Sequence, residues 1–176
     1  MKVVHSVLIG ICTVLLVEAA GAAATVTPRV TVRCDENAQV ADRITPDAQR
    51  DNVVFGFAAL PTQTVPHEPV PADGGPRRYW TKMGLLIRLG RGPVDVVVPS
   101  AWRARVLITW GYPNLHSPSW SLRILRCAMP KYGTPYSDWL AYAGGVYFSE
   151  PACVPLTLRA GGRSKTIRLS LGRSCN

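Results

Sequence analysis

Cys153-Val154-Pro155-Leu156-Thr157-Leu158-Arg159-Ala160-Gly161-Gly162-Arg163-Ser164-Lys165-Thr166-Ile167-Arg168-Leu169-Ser170-Leu171 decides the fold class. Two runs rich in Val, Leu, Ile and Thr flank Ala160-Gly161-Gly162-Arg163, and a glycine pair accepts the backbone angles of a tight turn. The stretch therefore reads as a hairpin of strands 153–159 and 164–171, with Ile167, Leu169 and Leu171 turned inward.

The same patterning recurs upstream. In 25–34, Val26, Pro28, Val30, Val32 and Cys34 share one face, and Thr25, Thr27, Arg29, Thr31 and Arg33 the other. Pro28 places that half-buried strand at a sheet edge, because proline has no amide hydrogen to give. Residues 52–60 read as a second strand interrupted by Gly56, and the polar 35–50 stretch has room for one short helical turn. Five prolines and Gly74-Gly75 make 61–78 a long loop without regular structure. Residues 80–89 and 94–98 flank Gly90-Arg91-Gly92-Pro93 as a second hairpin. Strands follow at 103–110 and 120–127, the buried face of the latter lying with either Leu122 and Ile124 or Leu125 and Cys127, then an irregular aromatic segment and a strand at 145–149.

About nine short strands, with 15 glycines and 15 prolines and no heptad, repeat or helical stripe, predict an all-β fold. The favoured architecture is a two-sheet antiparallel β-sandwich, immunoglobulin-like, with a closed barrel as runner-up.

Residues 1–24 read as a signal peptide: Lys2, the apolar run 7–17, and then the small residues Ala20-Gly21-Ala22 and Ala22-Ala23-Ala24, which fit the A-x-A cleavage pattern. The competing reading, an uncleaved anchor, would bury Glu18 in the span. Residues 25–176 then form a single domain, long enough for a core of its own, secreted and without a stable membrane span once the leader is removed.

The net charge of +9 is unevenly spread. From 25 to 76 four Arg stand against seven acids, a net of −3; from 77 to 176 fifteen Lys or Arg stand against three acids, a net of +12. A basic half suits an anionic envelope partner, such as a cell-wall phosphate polymer or acidic glycan, although Arg on outward strand faces also serves solubility. No nucleic-acid reading motif accompanies the charge.

Gly144-Gly145-Val146-Tyr147, Pro151-Ala152-Cys153-Val154-Pro155-Leu156, Gly161-Gly162-Arg163 and Leu171-Gly172-Arg173-Ser174-Cys175 resemble a group of uncharacterised exported β-sandwich proteins typical of high-GC Gram-positive bacteria. The 51–56 strand and the 82–98 hairpin agree in character. The resemblance implies fold and export, and brings no functional residue with it.

Cys34, Cys127, Cys153 and Cys175 make an even set in an oxidising compartment, read as two disulfides among three connectivities. The favoured set is Cys127 with Cys153 and Cys34 with Cys175; the competitor pairs Cys153 with Cys175 across the final hairpin. Each bridge is worth roughly 3 to 5 kcal/mol on the chain-entropy model.

No catalytic constellation emerges. His67 and His116 sit among prolines as loop histidines, and G-x-S-x-G, H-E-x-x-H and zinc spacings are absent. The basic half offers only Asp95, Asp138 and Glu150 as acids. The reading is a non-enzymatic module without cofactor or metal. Its candidate ligand-binding residues are the aromatics Tyr132, Tyr136, Trp139 and Tyr142 with Arg126 and Lys131, suited to stacking on a sugar or meeting an anionic polymer. Trp110 and Trp120 continue strand patterns and point into the core. The alternative is a secreted protein-interaction or inhibitor module acting through the 61–76 loop.

Overall fold

The final hairpin forms as its sequence dictates. In the computed structural model β12 (Ala152–Ala160) and β13 (Arg163–Leu171) pair over their whole length, Ala160 against Arg163 and Ala152 against Leu171. Gly161 and Gly162 turn between them at φ 53° and 75°, the left-handed region that a two-residue hairpin turn needs. The structure describes residues 29–34, 45–47, 49–62, 65–70, 79–111, 117–128 and 138–175. Residues 1–24, expected as a signal peptide, the 35–44 stretch and the aromatic stretch 129–137 lie outside these.

This hairpin is one edge of a five-stranded sheet ordered β1 (Val30–Val32), β9 (Ser121–Ile124), β7 (Val94–Val97), β12 and β13. All neighbours are antiparallel except β1 and β9, which run parallel with Val30 opposite Leu122. The register settles which face of 121–124 is buried: Leu122 and Ile124 are inside, and Arg123 is outside, 3.6 Å from Asp95. β1 stands at the sheet edge, as its sequence predicts.

Two four-stranded sheets face it. One is ordered β10 (Trp139–Tyr142), β6 (Leu85–Arg88), β3 (Ala58–Pro61), β2 (Asp51–Val54); the other β4 (Glu68–Pro69), β5 (Tyr79–Lys82), β11 (Gly144–Phe148), β8 (Val106–Trp110). They share one ladder. The pairs Tyr79–Phe148, Lys82–Gly145, Leu85–Tyr142 and Arg88–Trp139 keep a single register, and the Met83 amide donates to the Gly144 carbonyl at 2.8 Å across the break. A long two-stranded ribbon thus bends at Met83-Gly84 and forms the spine of a second layer.

The layers also join edge to edge. Val65 donates to the Ser170 carbonyl at 2.9 Å, and Ile108 and Ser119 exchange two hydrogen bonds of 2.9 Å. Between the layers lies one core, in which Leu122, Ile124, Val96, Leu156, Leu158 and Leu169 meet Leu85, Ile87, Ile108, Trp110, Leu140 and Phe148, all at most 2% exposed. The fold is all-β, built from three mostly antiparallel sheets in a sandwich, and no α-helix occurs among the described residues. Nor is any described helix long and apolar enough to cross a membrane.

Several local expectations change. The described residues hold thirteen strands against the expected nine or so, because 52–60 and 80–89 each hold two strands, and Glu68–Pro69 and Trp139–Tyr142 form strands in stretches expected to be irregular. Residues 51–61 are a hairpin, with Phe55 at φ 57° and Gly56 at φ 75°. Strands β6 and β7 do not pair with each other, so Gly90 to Pro93 carries the chain from one layer to the other. The 61–78 stretch is partly regular: Glu68 and Pro69 pair with Trp80 and Tyr79.

The disulfides are Cys34–Cys127 and Cys153–Cys175, with Cα separations of 5.2 and 5.1 Å. The favoured pairing, Cys127–Cys153 with Cys34–Cys175, is corrected by topology. It assumed that the first and last strands are neighbours, whereas β1 and β13 are opposite edges of the sheet. Cys34 instead sits just past β1, beside the end of its parallel neighbour β9, where Cys127 lies.

Candidate functional site

Alternation along five strands sends one set of side chains into the core and the other to solvent, and the solvent set is basic. Arg29 and Arg33 flank β1, Arg123 lies on β9, Arg159 on β12 and Arg168 on β13, all on the outer face. One acid faces them among the described residues, Asp95 on β7. Its carboxylate accepts from Arg29 Nη2 at 2.7 Å and lies 3.6 Å from Arg123 Nη1, while Arg159 is its direct cross-strand partner. Among the described residues, five arginines against one aspartate give this face a surplus of +4. Asp95 also orders the cluster, because each charged hydrogen bond fixes a long side chain that would otherwise sample many rotamers. Between the arginines stand small polar groups, with Thr157 and Thr166 hydroxyls 3.0 Å apart.

The arginine face continues around the end of β13. Arg168, Arg173 and Arg105 line a cleft of about 500 Å3 beside Cys153–Cys175, together with Glu150 and Trp102. All three acids of the basic half are bound to arginine: Asp95 as above, Asp138 to Arg88 at 2.9 Å and Glu150 to Arg105 at 3.2 Å.

The candidate aromatic site is only partly assembled. Tyr142 is fully buried, and its hydroxyl lies 3.3 Å from Cys127 Sγ. A disulfide sulfur has no proton, so Tyr142 O–H donates. Tyr142 is therefore a core residue and leaves the list of ligand-binding candidates: its position on β10 directs the ring between the layers, a burial the irregular reading of that segment could not show. Trp139 is half-buried on the edge strand β10, and Arg126 is exposed just past β9. The Gly90 turn brings these two neighbourhoods together, since Leu89 donates to the Asp138 carbonyl at 2.7 Å and Gly90 to that of Cys127 at 2.6 Å. Lys131, Tyr132 and Tyr136 lie outside the described residues.

Other aromatics and histidine find structural places. Trp110 is fully buried and donates from Nε1 to the Met83 carbonyl at 2.8 Å, as its strand pattern predicts. Trp120 is only half-buried and donates to the Arg103 carbonyl at 3.0 Å. His67 is packed rather than free in a loop, edge-on to Tyr79 with ring centroids 4.8 Å apart. Trp80 and Tyr147, cross-strand partners on the outer face of the second layer, form an aromatic pair 6.4 Å apart that the sequence reading did not single out.

Among the described residues no three His, Cys, Asp or Glu gather as metal ligands. One carboxyl is clearly shifted. Asp47 is held below its ordinary value first by the Gln49 amide and then by the Arg50 guanidinium, in the exposed turn that opens β2.

Compared with known proteins, no protein-family model matches this chain, and neither does any curated protein or solved structure.

Proposed function

We propose that this protein is an exported, non-enzymatic binding module of the cell envelope, an immunoglobulin-like sandwich that holds a phosphate-bearing cell-wall polymer on the outer face of its five-stranded sheet. One observation carries the reading: Arg29, Arg33, Arg123, Arg159 and Arg168 project from four strands of one sheet around Asp95, the one acid facing them among the described residues. A flat array of fixed guanidinium groups suits a repeating chain of anions, because each group meets a phosphate oxygen through forked hydrogen bonds and no deep pocket is required. The +12 charge of the 77–176 half draws such a chain in from a distance that shrinks as salt rises. An encounter outside the cytoplasm is supported by the signal-like pattern of residues 1–24 and by the two disulfides.

The alternative of an inhibitory loop has less support. Such a loop stands clear of its own scaffold to enter a partner, whereas Val65 is hydrogen-bonded to β13, the Pro66 carbonyl accepts from the Thr81 hydroxyl and Glu68 pairs with Trp80. A carbohydrate-stacking role for Trp139 with Arg126 competes for the same ligand class at a different place.

The test is retention on immobilised poly(glycerol phosphate) against a neutral glycan over a salt series. Wild type is expected to bind the phosphate polymer alone, with affinity falling steeply with salt. The Arg123→Gln/Arg159→Gln/Arg168→Gln variant is expected to lose that binding and Trp139→Ala to keep it. Equal binding to the neutral glycan, or loss on Trp139→Ala alone, would overturn the assignment.

A further inference from the structure

The cleft beside Cys153–Cys175 differs from the flat face in being concave and in gathering arginines from three separate chain segments. Arg105 comes from the turn before β8, Arg168 from β13 and Arg173 from the tail that Cys175 ties back to β12. Arg105 is held from two sides: its guanidinium carbon lies 4.3 Å above the Trp102 ring, and Nη1 donates to Glu150 at 3.2 Å. Arg168 and Arg173 make no ion pair among the described residues. Among the described residues, three arginines against Glu150 give the cleft +2, within a volume of about 500 Å3.

We infer that this cleft is a second binding site, sharing Arg168 with the sheet face, for a phosphate monoester. The dianion matches the +2 of the cleft, and its three unsubstituted oxygens offer one acceptor to each guanidinium fork. A carboxylate offers two oxygens and one charge. An internal phosphodiester also has one charge and carries a substituent on either side, which suits the open sheet face better than a cleft. The monoester comes from either a free small molecule or the terminal phosphate of a polymer chain, and the chemistry of recognition is the same. Because the second proton of a monoester leaves near pH 6, binding strengthens as pH rises from about 5 to about 7.5.

Isothermal titration with glycerol 3-phosphate, inorganic phosphate, dimethyl phosphate and acetate at low salt tests the site. The two phosphates with ionisable protons are expected to bind at least about tenfold more tightly than dimethyl phosphate or acetate. Arg173→Gln, an exposed tail position, is expected to weaken them by about tenfold, and Arg159→Gln on the sheet face to leave them unchanged. The reverse pattern holds for poly(glycerol phosphate) stripped of its terminal phosphate, so failure of the sheet-face reading and failure of the cleft are separately visible. A loss of affinity of the untreated polymer after phosphatase treatment, seen in wild type and absent in Arg173→Gln, assigns the chain end as source. No loss, with glycerol 3-phosphate still bound, assigns a free ester. Equal binding of dimethyl phosphate, indifference to Arg173→Gln with the protein folded, or no binding of glycerol 3-phosphate at about 10 mM, would refute the inference.

Discussion

The two ends of the five-stranded sheet each carry a disulfide, and they are built in opposite ways. At the β1–β9 end Cys34–Cys127 reaches into the core: Cys34 is half-buried, but Cys127 is 3% exposed and the Tyr142 hydroxyl donates to its sulfur. At the other end Cys153–Cys175 is half-buried and lines a basic cleft. One bridge is part of a core, and the other fixes a surface. A bridge in a core adds to packing that exists without it, while a bridge at a rim decides where the 172–175 tail and its Arg173 are held.

The largest effects come from breaking the bridges separately. Cys34–Cys127 spans 93 residues and Cys153–Cys175 spans 22, so the chain-entropy model assigns about 4.7 and about 3.4 kcal/mol respectively. In urea denaturation, Cys34→Ser/Cys127→Ser is expected to lose the most stability, since it also leaves polar hydroxyls beside the core. Cys153→Ser/Cys175→Ser is expected to lose less stability but nearly all phosphate-monoester binding. Equal losses, or a cleft that survives without its bridge, would erase the contrast.

Exposure sharpens the same comparison through kinetics. With limiting dithiothreitol, alkylation and mass mapping are expected to find Cys153 and Cys175 labelled before Cys34 and Cys127, because attack needs access to a sulfur. Simultaneous labelling would mean that burial of Cys127 does not protect its bridge.

Smaller changes follow. Tyr142→Phe removes one buried hydrogen bond and is expected to cost about 1 kcal/mol by urea denaturation. Trp102→Ala at the other end removes a cation–π contact at a half-exposed site, about 0.5 to 1 kcal/mol, while weakening monoester binding through the loss of Arg105's platform. Asp47 belongs to neither end and serves as a control. Its folded pKa is depressed, so its contribution is present above the unfolded value and fades as pH falls through the lower folded one. An NMR titration is expected to show Arg50→Ala moving that midpoint upward with the binding sites untouched.

The final hairpin was legible because its glycine turn and its inward residues lie within one local stretch, although the strands close one residue nearer the turn on each side than 153–159 and 164–171. So was the edge position of β1, from alternation and Pro28. The Phe55-Gly56 turn was hidden because a phenylalanine occupies a left-handed position where Asn, Asp or Gly is the usual signal. Cys153–Cys175 was within reach as the competing pair across the final hairpin, but Cys34–Cys127 was hidden for a different reason. It depends on which strands are neighbours across long sequence separation, and nothing local says that β1 lies parallel to β9. The basic face was half legible: the charge surplus could be counted, but its concentration around Asp95 needs the order β1-β9-β7-β12-β13. The aromatic crowd before Cys153 misled where Tyr142 was concerned, since a ring on a strand and a ring in a loop look alike in one dimension.

Amide chemical-shift mapping during titration with poly(glycerol phosphate) tests the central claim most directly, because it reports where the polymer lies. Perturbations are expected to cluster on the outer face, at residues 29–33, 121–124, 157–159 and 164–168. A cluster around Arg126 and Trp139 with the arginine face silent, or no perturbation at low salt, would contradict it.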